Sequence, residues 1–128
     1  MEGIRQAIVA LEPIVDNYVL DLRGNTGGGF QFALNIGGMF MQDKTMVTAK
    51  GKDGAGIGTD PSNSQLFKTS YGGGVLTKKP LIVWIDGLSA SASEVLAGAL
   101  HDNCRGGTVG STSFGKGKIQ AVFGLQNG

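Results

Sequence analysis

The chain has 128 residues, of which 41% are hydrophobic and 16% are charged, and its formal net charge is +1. These values are typical of a single soluble globular domain, and the balanced charge indicates neither a nucleic-acid surface nor an anionic-membrane surface. The single cysteine, Cys104, excludes an internal disulfide framework and a thiolate metal cluster. No apolar run reaches the roughly 20 residues of a membrane span, and the N-terminus does not have the pattern of a signal peptide.

Hydrophobic periodicity and turn residues predict helices and strands in the first part of the chain. Apolar residues at helical spacing predict a helix within residues 2–16, which Pro13 interrupts near its end. The next predicted elements are a strand at 18–23, a glycine-rich loop at 24–29, a helix at 30–41 and a strand at 46–49. The composition of residues 51–79 is typical of a long surface excursion, with a hairpin predicted near 65–71.

The later part of the chain continues this alternation. The continuous apolar run at 80–86 predicts a buried strand, a helix is expected at about 92–101, and residues 118–123 read as a final strand. Strands that alternate with helices favour an α/β layered fold with a largely parallel sheet. No internal repeat and no hinge between two domains is visible in the sequence.

A serine-rich stretch, Ser89-Ala90-Ser91-Ala92-Ser93-Glu94, separates the strand at 80–86 from the helix that follows. A strand, a tight turn and a helix expose a hydroxyl beside free helix N–H groups, which stabilise developing negative charge. This layout predicts a serine hydrolase and raises the question of which residue activates the serine. Ser91 and Glu94 also form a Ser-x-x-Glu capping-box pattern, so helix capping is the alternative function for Ser91.

The stretch from Gly110 to Lys116 satisfies the first seven positions of a phosphate-binding loop of the Walker A type. The eighth position is Gly117, where that loop needs a Ser or Thr hydroxyl for Mg²⁺. The residues that follow read as a strand, whereas the loop must open a helix whose N-terminus binds the phosphates. Both differences argue against nucleotide binding.

A Ser-His-Asp triad would require His101, the only histidine of the chain, to act as the base together with Asp102. If residues 92–101 form one helix, a rise of about 1.5 Å per residue places His101 roughly 15 Å from Ser91. A general base must come within about 3 Å of the hydroxyl, directly or through one water. The helix length therefore excludes this triad.

A serine–lysine dyad remains, with Lys116 between Gly115 and Gly117 as the candidate base. A lysine accepts the serine proton only when neutral, so its pKa must fall from about 10.4 to about 7–8, at a cost of roughly 4 kcal/mol. Burial in a dry pocket is the usual cause of such a decrease. On a strand that begins near Lys116, Gln120 points to the same side, where its amide is able to orient the amine. An exposed structural lysine is the alternative interpretation.

Three ordered segments, at residues 18–28, 89–102 and 114–120, closely resemble the signature segments of the carboxyl-terminal processing proteases. This is the tail-specific protease family of serine peptidases, family S41. The resemblance implies a fold similar to that of the Clp protease and crotonase superfamily. It also implies a serine endopeptidase that cleaves proteins near their C-termini through an acyl-enzyme intermediate.

Carried over by position, the resemblance identifies Ser91 as the nucleophile, Lys116 as the general base and Gln120 as the residue that orients the lysine. It further implies that the oxyanion is bound by a backbone N–H of Gly27 or Gly28 and by that of Ala92. The glycine loop is alternatively only a strand-to-helix turn.

Other implications of the resemblance concern residues and partners outside the dyad. Asp102 matches a family aspartate considered functional, but the helix-length argument against His101 favours a structural role. Lys118 departs from the small or apolar residue that is common in the family. The implied partners are protein or peptide substrate C-termini, with no metal, no cofactor and no nucleic acid.

The resemblance also bears on domain organisation and compartment. Family members carry an upstream PDZ domain and continue with further strands, so residues 1–128 are expected to be an incomplete peptidase core. The compartment implied is a bacterial periplasm or cell envelope, or a thylakoid lumen. A catalytically inactive α/β fragment or scaffold module that retains the motifs is the alternative function.

Overall fold

The computed structural model of the chain describes residues 1–49 and 65–116. Within these residues, helices and strands alternate and confirm the predicted α/β class. The helices are α1 (Glu2–Leu11), α2 (Phe30–Phe40) and α3 (Ala92–Asp102), and the strands are β1 (Tyr18–Asp21), β2 (Thr45–Ala49), β3 (Gln65–Lys68), β4 (Leu81–Ile85) and β5 (Gly107–Gly110). The strand predicted at 118–123 lies outside the described residues.

The main sheet is parallel, as the alternation of elements predicts, and its strand order is β1-β4-β5. Tyr18 of β1 pairs with Leu81 of β4, and Ile82 of β4 pairs with Gly107 of β5. Strands β2 and β3 form a separate antiparallel pair. Because β1 and β4 are parallel neighbours, the loops that follow them leave the sheet at the same edge.

The core lies between one face of the parallel sheet and helices α2 and α3. In β4, Leu81 and Val83 are buried against this core, whereas Ile82 and Trp84 point to the opposite, partly exposed face. The largest fully buried side chains are Met39, Leu100 and Val83, together with Ser89. One contiguous cluster of buried side chains therefore joins both helices to the sheet.

Helix α2 contains two glycines, Gly37 and Gly38, at positions that other chain segments approach closely. A Cβ atom on Gly37 would lie 2.7 Å from the Met46 sulfur, and one on Gly38 would lie 2.5 Å from the Tyr71 Cβ. Both distances are too short for a side chain, so the glycines allow the segments on either side of β3 to pack directly against the helix.

The first helix is shorter than predicted. It ends at Leu11, whereas the sequence predicted a helix within residues 2–16. Pro13 has no N–H to donate to the carbonyl of Val9, so the helical hydrogen-bond ladder stops there. The side chain of Ile14 is 76% exposed instead of belonging to a buried stripe.

The predicted hairpin near residues 65–71 is wrong, because residues 65–68 are one strand that pairs with β2. Residues 69–79 are also not a surface excursion. Ser70 donates its N–H to the Leu34 carbonyl and Leu76 to the Met39 carbonyl, and Thr77 is only 2% exposed. These backbone hydrogen bonds bring the segment onto α2, an arrangement that its polar composition does not indicate.

Candidate active site

Two turns, one after β1 and one after β4, are joined by side-chain hydrogen bonds. Ser89 is fully buried, and its Oγ donates to the Leu22 carbonyl at 2.8 Å and accepts the Asp86 N–H at 3.0 Å. Asp86 Oδ1 accepts the Gly24 N–H at 3.0 Å, and this bond is the main cause that holds the pKa of Asp86 below its usual range. The glycine-rich loop therefore lies beside the serine stretch.

Ser91 lies where this turn meets the first residue of α3, and its backbone is strained. Its φ of 57° and ψ of −122° fall in a region that favours glycine and costs other residues about 1–3 kcal/mol. The Ser91 N–H donates to Glu94 Oε2 at 2.9 Å, as part of the predicted capping box. A strained serine between a strand and a helix has the geometry of a nucleophile elbow, so the capping and nucleophile interpretations are compatible.

The glycine loop is attached to the N-terminus of α3 through Asn25. The Asn25 carbonyl accepts the Ala90 N–H at 3.1 Å, and Asn25 Oδ1 accepts the Ser93 hydroxyl at 2.8 Å and the Gly27 N–H at 2.9 Å. A Cβ atom on Gly27 would lie 2.8 Å from the Cβ of Ser91, and the φ of Gly27 is 106°. Only glycine fits this position, so the loop backbone is in direct contact with the strained serine.

The N–H groups of the glycine loop and of the first residue of α3 differ in their hydrogen bonding. The Gly27 N–H is engaged by the Asn25 side chain. Among the hydrogen bonds of residues 1–49 and 65–116, neither the Gly28 N–H nor the Ala92 N–H has an acceptor. Ala92 is the first residue of α3, where a helix has no internal acceptor to offer. Within the described part of the chain, these two N–H groups are therefore not engaged by protein acceptors.

A cavity of about 170 Å³ lies beside this loop, between α2 and α3. The glycine loop, Ala92 and Ser93 form one side of it, and apolar side chains form the rest. The apolar lining residues are Leu22, Phe32, Ala33, Ile36 and Leu96. A cavity of this kind accommodates an apolar group next to the two N–H groups.

The segment after β5 is attached to the serine stretch on its other side. The Phe114 N–H donates to the Ser89 carbonyl at 3.0 Å. Glu94 Oε1 accepts the Ser113 hydroxyl at 2.8 Å and the Gly115 N–H at 2.6 Å. Residues 111–116 form no helix, unlike the continuation that a phosphate-binding loop requires.

Lys116, the predicted base, directly follows this attached segment, and it is exposed. No hydrogen bond between Lys116 Nζ and Ser91 Oγ occurs within the part of the chain that the structure describes. Gln120 and Lys118, like Gly117, lie outside the described residues.

His101 and Asp102 are at the far end of α3, which is continuous from Ala92 to Asp102. His101 Nδ1 and Asp102 Oδ1 are 3.0 Å apart, and both side chains are exposed. The exclusion of His101 as a base depends on this helix being continuous.

Two searches over the described residues concern metals and membranes. Within residues 1–49 and 65–116, no three His, Cys, Asp or Glu side chains group in a way that would hold a metal ion. Over the same residues, none of the helices combines the length and apolar character needed to cross a bilayer.

Comparison with known proteins gives consistent matches. The model of peptidase family S41 matches residues 1–128. Carboxyl-terminal-processing peptidase 3, chloroplastic, of Arabidopsis thaliana is 42% identical over 89% of this chain and 20% of its own length. The carboxyl-terminal-processing protease of Picosynechococcus sp. (strain PCC 7002) is 41% identical over 88% of this chain and 25% of its own length. Among solved structures, a photosystem II D1 C-terminal processing protease matches with a TM-score of 0.71 and 33% identity, over 88% of this chain and 27% of that one.

The fold and these matches place the chain in the class of serine-type peptidases. The chain belongs to peptidase family S41. It spans about a fifth to a quarter of the length of the curated relatives named above.

Sequence reasoning did not identify two features of the site. Glu94 is predicted only as a helix cap, although its second oxygen binds the segment before Lys116. The bond between Ser93 and Asn25 joins two motifs that are recognised separately. The pattern Ser-x-x-Glu indicates Glu94 as a capping residue, but nothing in the sequence indicates the distant partners of Glu94 and Ser93.

Proposed function

We propose that the chain is the catalytic core of a serine endopeptidase that cleaves protein substrates near their C-termini through an acyl-enzyme intermediate. The observation that carries the proposal is the strained Ser91, which directly precedes α3 and contacts the glycine loop. Membership of family S41 supports the same chemistry. A strained serine near N–H groups that have no acceptor among the described residues is suited to attack a carbonyl and to bind the resulting oxyanion.

In the first step, Ser91 Oγ attacks the carbonyl carbon of the scissile peptide bond, and the hydroxyl proton passes to the neutral Nζ of Lys116. The carbonyl oxygen becomes an oxyanion, which accepts hydrogen bonds from the Ala92 N–H and the Gly28 N–H. Gly28 is the better candidate than Gly27 because Asn25 Oδ1 already accepts the Gly27 N–H.

In the second step, the carbon–nitrogen bond breaks and Lys116 returns the proton to the leaving amine. Water then attacks the ester carbonyl, with Lys116 again accepting a proton, and the Ser91 hydroxyl is regenerated. Gln120 has the role of orienting the lysine amine.

Substrate class and compartment follow from the resemblance to relatives. Carboxyl-terminal-processing enzymes act on proteins, so the proposed substrates are protein or peptide C-termini. The apolar cavity beside Ala92 supports binding of an apolar side chain near the scissile bond. The proposed compartment is a bacterial periplasm or cell envelope, or a thylakoid lumen.

A second candidate function is a non-catalytic α/β module that retains the protease motifs. The exposed side chain of Lys116 favours it, since catalysis requires Lys116 Nζ to come within about 3 Å of Ser91 Oγ.

Labelling with a serine-reactive fluorophosphonate distinguishes the two candidates without knowledge of the substrate. In the full-length protein, the peptidase proposal expects modification that maps to Ser91, no modification of Ser91→Ala, and labelling of Lys116→Ala about 10²- to 10⁴-fold slower. Well-folded protein that is not labelled, or that is labelled equally fast after Lys116→Ala, contradicts the dyad.

A further inference from the structure

Both carboxylate oxygens of Glu94 accept hydrogen bonds, and they do so from two different segments of the chain. Oε2 accepts the N–H of Ser91 at 2.9 Å. Oε1 accepts the hydroxyl of Ser113 at 2.8 Å and the N–H of Gly115 at 2.6 Å. One side chain therefore links the backbone of the proposed nucleophile to the residues directly before Lys116.

Helix capping alone does not account for this arrangement. A capping box uses one carboxylate oxygen and the N–H of the N-cap residue, which the bond from Ser91 already provides. The partners of Oε1 lie 19 and 21 residues further along the chain and belong to another element. Glu94 is half-buried, so the second oxygen has been withdrawn from water to make these bonds.

The carboxylate is held in its charged form. Burial raises the pKa of Glu94, but hydrogen bonds from the Ser113 hydroxyl and from the N–H groups of Gly115 and Ser91 outweigh it and lower the pKa below its usual range. The N-terminus of α3 also favours a negative charge in its first turn. Hydrogen bonds to a charged acceptor are roughly twice as strong as neutral ones, so Glu94 is a firm attachment point.

We propose that Glu94 is a positioning residue, whose carboxylate fixes residues 113–115 against the N-terminus of α3 and thereby sets the approach of Lys116 to Ser91. This inference rests on the Ser91–Lys116 dyad of the proposed function. The only other described hydrogen bond that attaches residues 113–115 to the serine stretch is the one from the Phe114 N–H to the Ser89 carbonyl. Without Glu94, the segment would keep only that hydrogen bond, and the position of Lys116 relative to Ser91 would no longer be fixed.

Glutamine does not replace the carboxylate here, although it has nearly the same shape. The groups that face the two oxygens are N–H and O–H donors, so the NH₂ group of a glutamine would meet a donor at one of them. Glu94→Gln therefore separates Ser91 from the 113–115 segment while keeping the volume of the side chain. Displacements of about 1 Å cost on the order of 100-fold in rate.

A double-mutant cycle on the full-length protein tests the proposal, with the rate of fluorophosphonate labelling of Ser91 as the readout. At neutral pH we expect Glu94→Gln to label about 10- to 100-fold more slowly than the wild type. Because Glu94 acts through Lys116, the double variant Glu94→Gln/Lys116→Ala should label as slowly as Lys116→Ala alone, within about twofold. Glu2→Gln is the matched control: this exposed glutamate also lies in the first turn of a helix, and its change should leave the rate unaltered.

The pH dependence separates positioning from a loss of folded protein. In the wild type, the labelling rate should rise as the base loses its proton and then level off, between about pH 6 and about pH 9. We expect Glu94→Gln to lose the plateau and to follow hydroxide concentration, as Lys116→Ala should. A variant that is only less folded would keep the plateau at a lower height.

Several results would overturn the proposal. One is a labelling rate of Glu94→Gln equal to that of the wild type, and another is a pH profile of Glu94→Gln that keeps the plateau. A third is a double variant in which Glu94→Gln slows labelling relative to Lys116→Ala by as much as it does in the wild type. If Glu94→Gln does not unfold cooperatively, Ser113→Ala replaces it as the test variant. We then expect the labelling rate to decrease by about 3- to 10-fold, and this decrease should vanish in the Lys116→Ala background. An unchanged labelling rate of Ser113→Ala would count against the proposal. Failure of the dyad itself is seen separately, as wild-type labelling of Lys116→Ala alone.

Discussion

Gly27 lies so close to Ser91 that a Cβ atom placed on the glycine would be 2.8 Å from the Cβ of the serine. The same atom would be 2.8 Å from the Ala90 carbonyl oxygen and 3.2 Å from the Ala92 nitrogen. Two of these neighbours are backbone atoms, which are unable to rotate away. The glycine loop and the serine turn therefore have to be considered as one unit.

The first prediction concerns Gly27→Ala. The substitution should lower the free energy of unfolding by about 1–3 kcal/mol because of the positive φ, and labelling of Ser91 should fall about 100-fold because the clash displaces the turn. Chemical denaturation and the labelling rate measure the two effects. Gly98→Ala is the matched control: a Cβ there meets nothing within 4 Å, so the added helix propensity should raise stability by about 0.5–1 kcal/mol. Equal behaviour of the two variants would contradict the close approach.

The second prediction is that Ser91→Gly stabilises the fold while abolishing labelling. Glycine adopts a φ of 57° and a ψ of −122° without strain, and relief of roughly 1–3 kcal/mol is partly offset by the greater entropy of glycine in the unfolded chain. A net gain of about 1 kcal/mol in the free energy of unfolding is expected. Ser91→Ala also removes the nucleophile but retains the strain, so it should show no such gain. If both variants have the same stability, the strain at Ser91 is absent.

The third prediction concerns alkaline pH and Tyr18. Burial makes the largest contribution to the pKa of Tyr18, and the hydrogen bond to Glu12 and the charge of Glu12 add to it. Together they raise the pKa of Tyr18 to about 12. Since the folded pKa exceeds the unfolded value of about 10, this contribution to stability is complete below about pH 10 and is lost as pH rises through about 12. Denaturation midpoints between these values, followed together with tyrosinate absorbance, should show the loss. Tyr18→Phe should remove this part of the pH dependence, and an unchanged slope would refute the assignment.

The fourth prediction is that Arg105→Lys is not a conservative change. The guanidinium donates to the carbonyls of Phe40, Thr77 and Lys79, at 2.8, 3.1 and 3.0 Å. A lysine ammonium does not reproduce this planar fork, so we expect a loss of about 2–4 kcal/mol in the free energy of unfolding. Arg5→Lys, at an exposed salt bridge, should cost less than about 0.5 kcal/mol. Comparable losses for the two variants would argue against the role of Arg105.

Most elements of the fold were predictable because their patterns are local. The apolar run at 80–86 and the helix after the serine stretch are confirmed as β4 and α3. Strand β5 was not predicted, since Gly107–Gly110 has little hydrophobic pattern and becomes a strand only by pairing with β4. Gly106 contributes by allowing close approach, because a Cβ there would lie 2.7 Å from the Leu81 carbonyl oxygen.

The candidate site was predictable as a set of motifs but not as an arrangement. The strand–turn–helix layout led to the serine stretch through local reasoning, and the family resemblance singled out Ser91 within it. The preference for Gly28 over Gly27 in the proposed oxyanion site required the hydrogen bond from Gly27 to Asn25. The proposed second role of Glu94 required its contacts with Ser113 and Gly115. Side-chain contacts between distant segments leave no pattern in a single sequence, so these details had to come from the structure.

The hydrogen bonds that assemble the site join residues far apart in the chain. Gly24 and Asp86 are separated by 62 positions, Leu22 and Ser89 by 67, and Asn25 and Ser93 by 68. Contacts of such separation form only once long loops have closed, and therefore late in folding. Helices and strands that have formed but not yet docked would have no competent serine turn. In a chain built in this way, the serine turn takes its strained geometry only together with the completed tertiary structure.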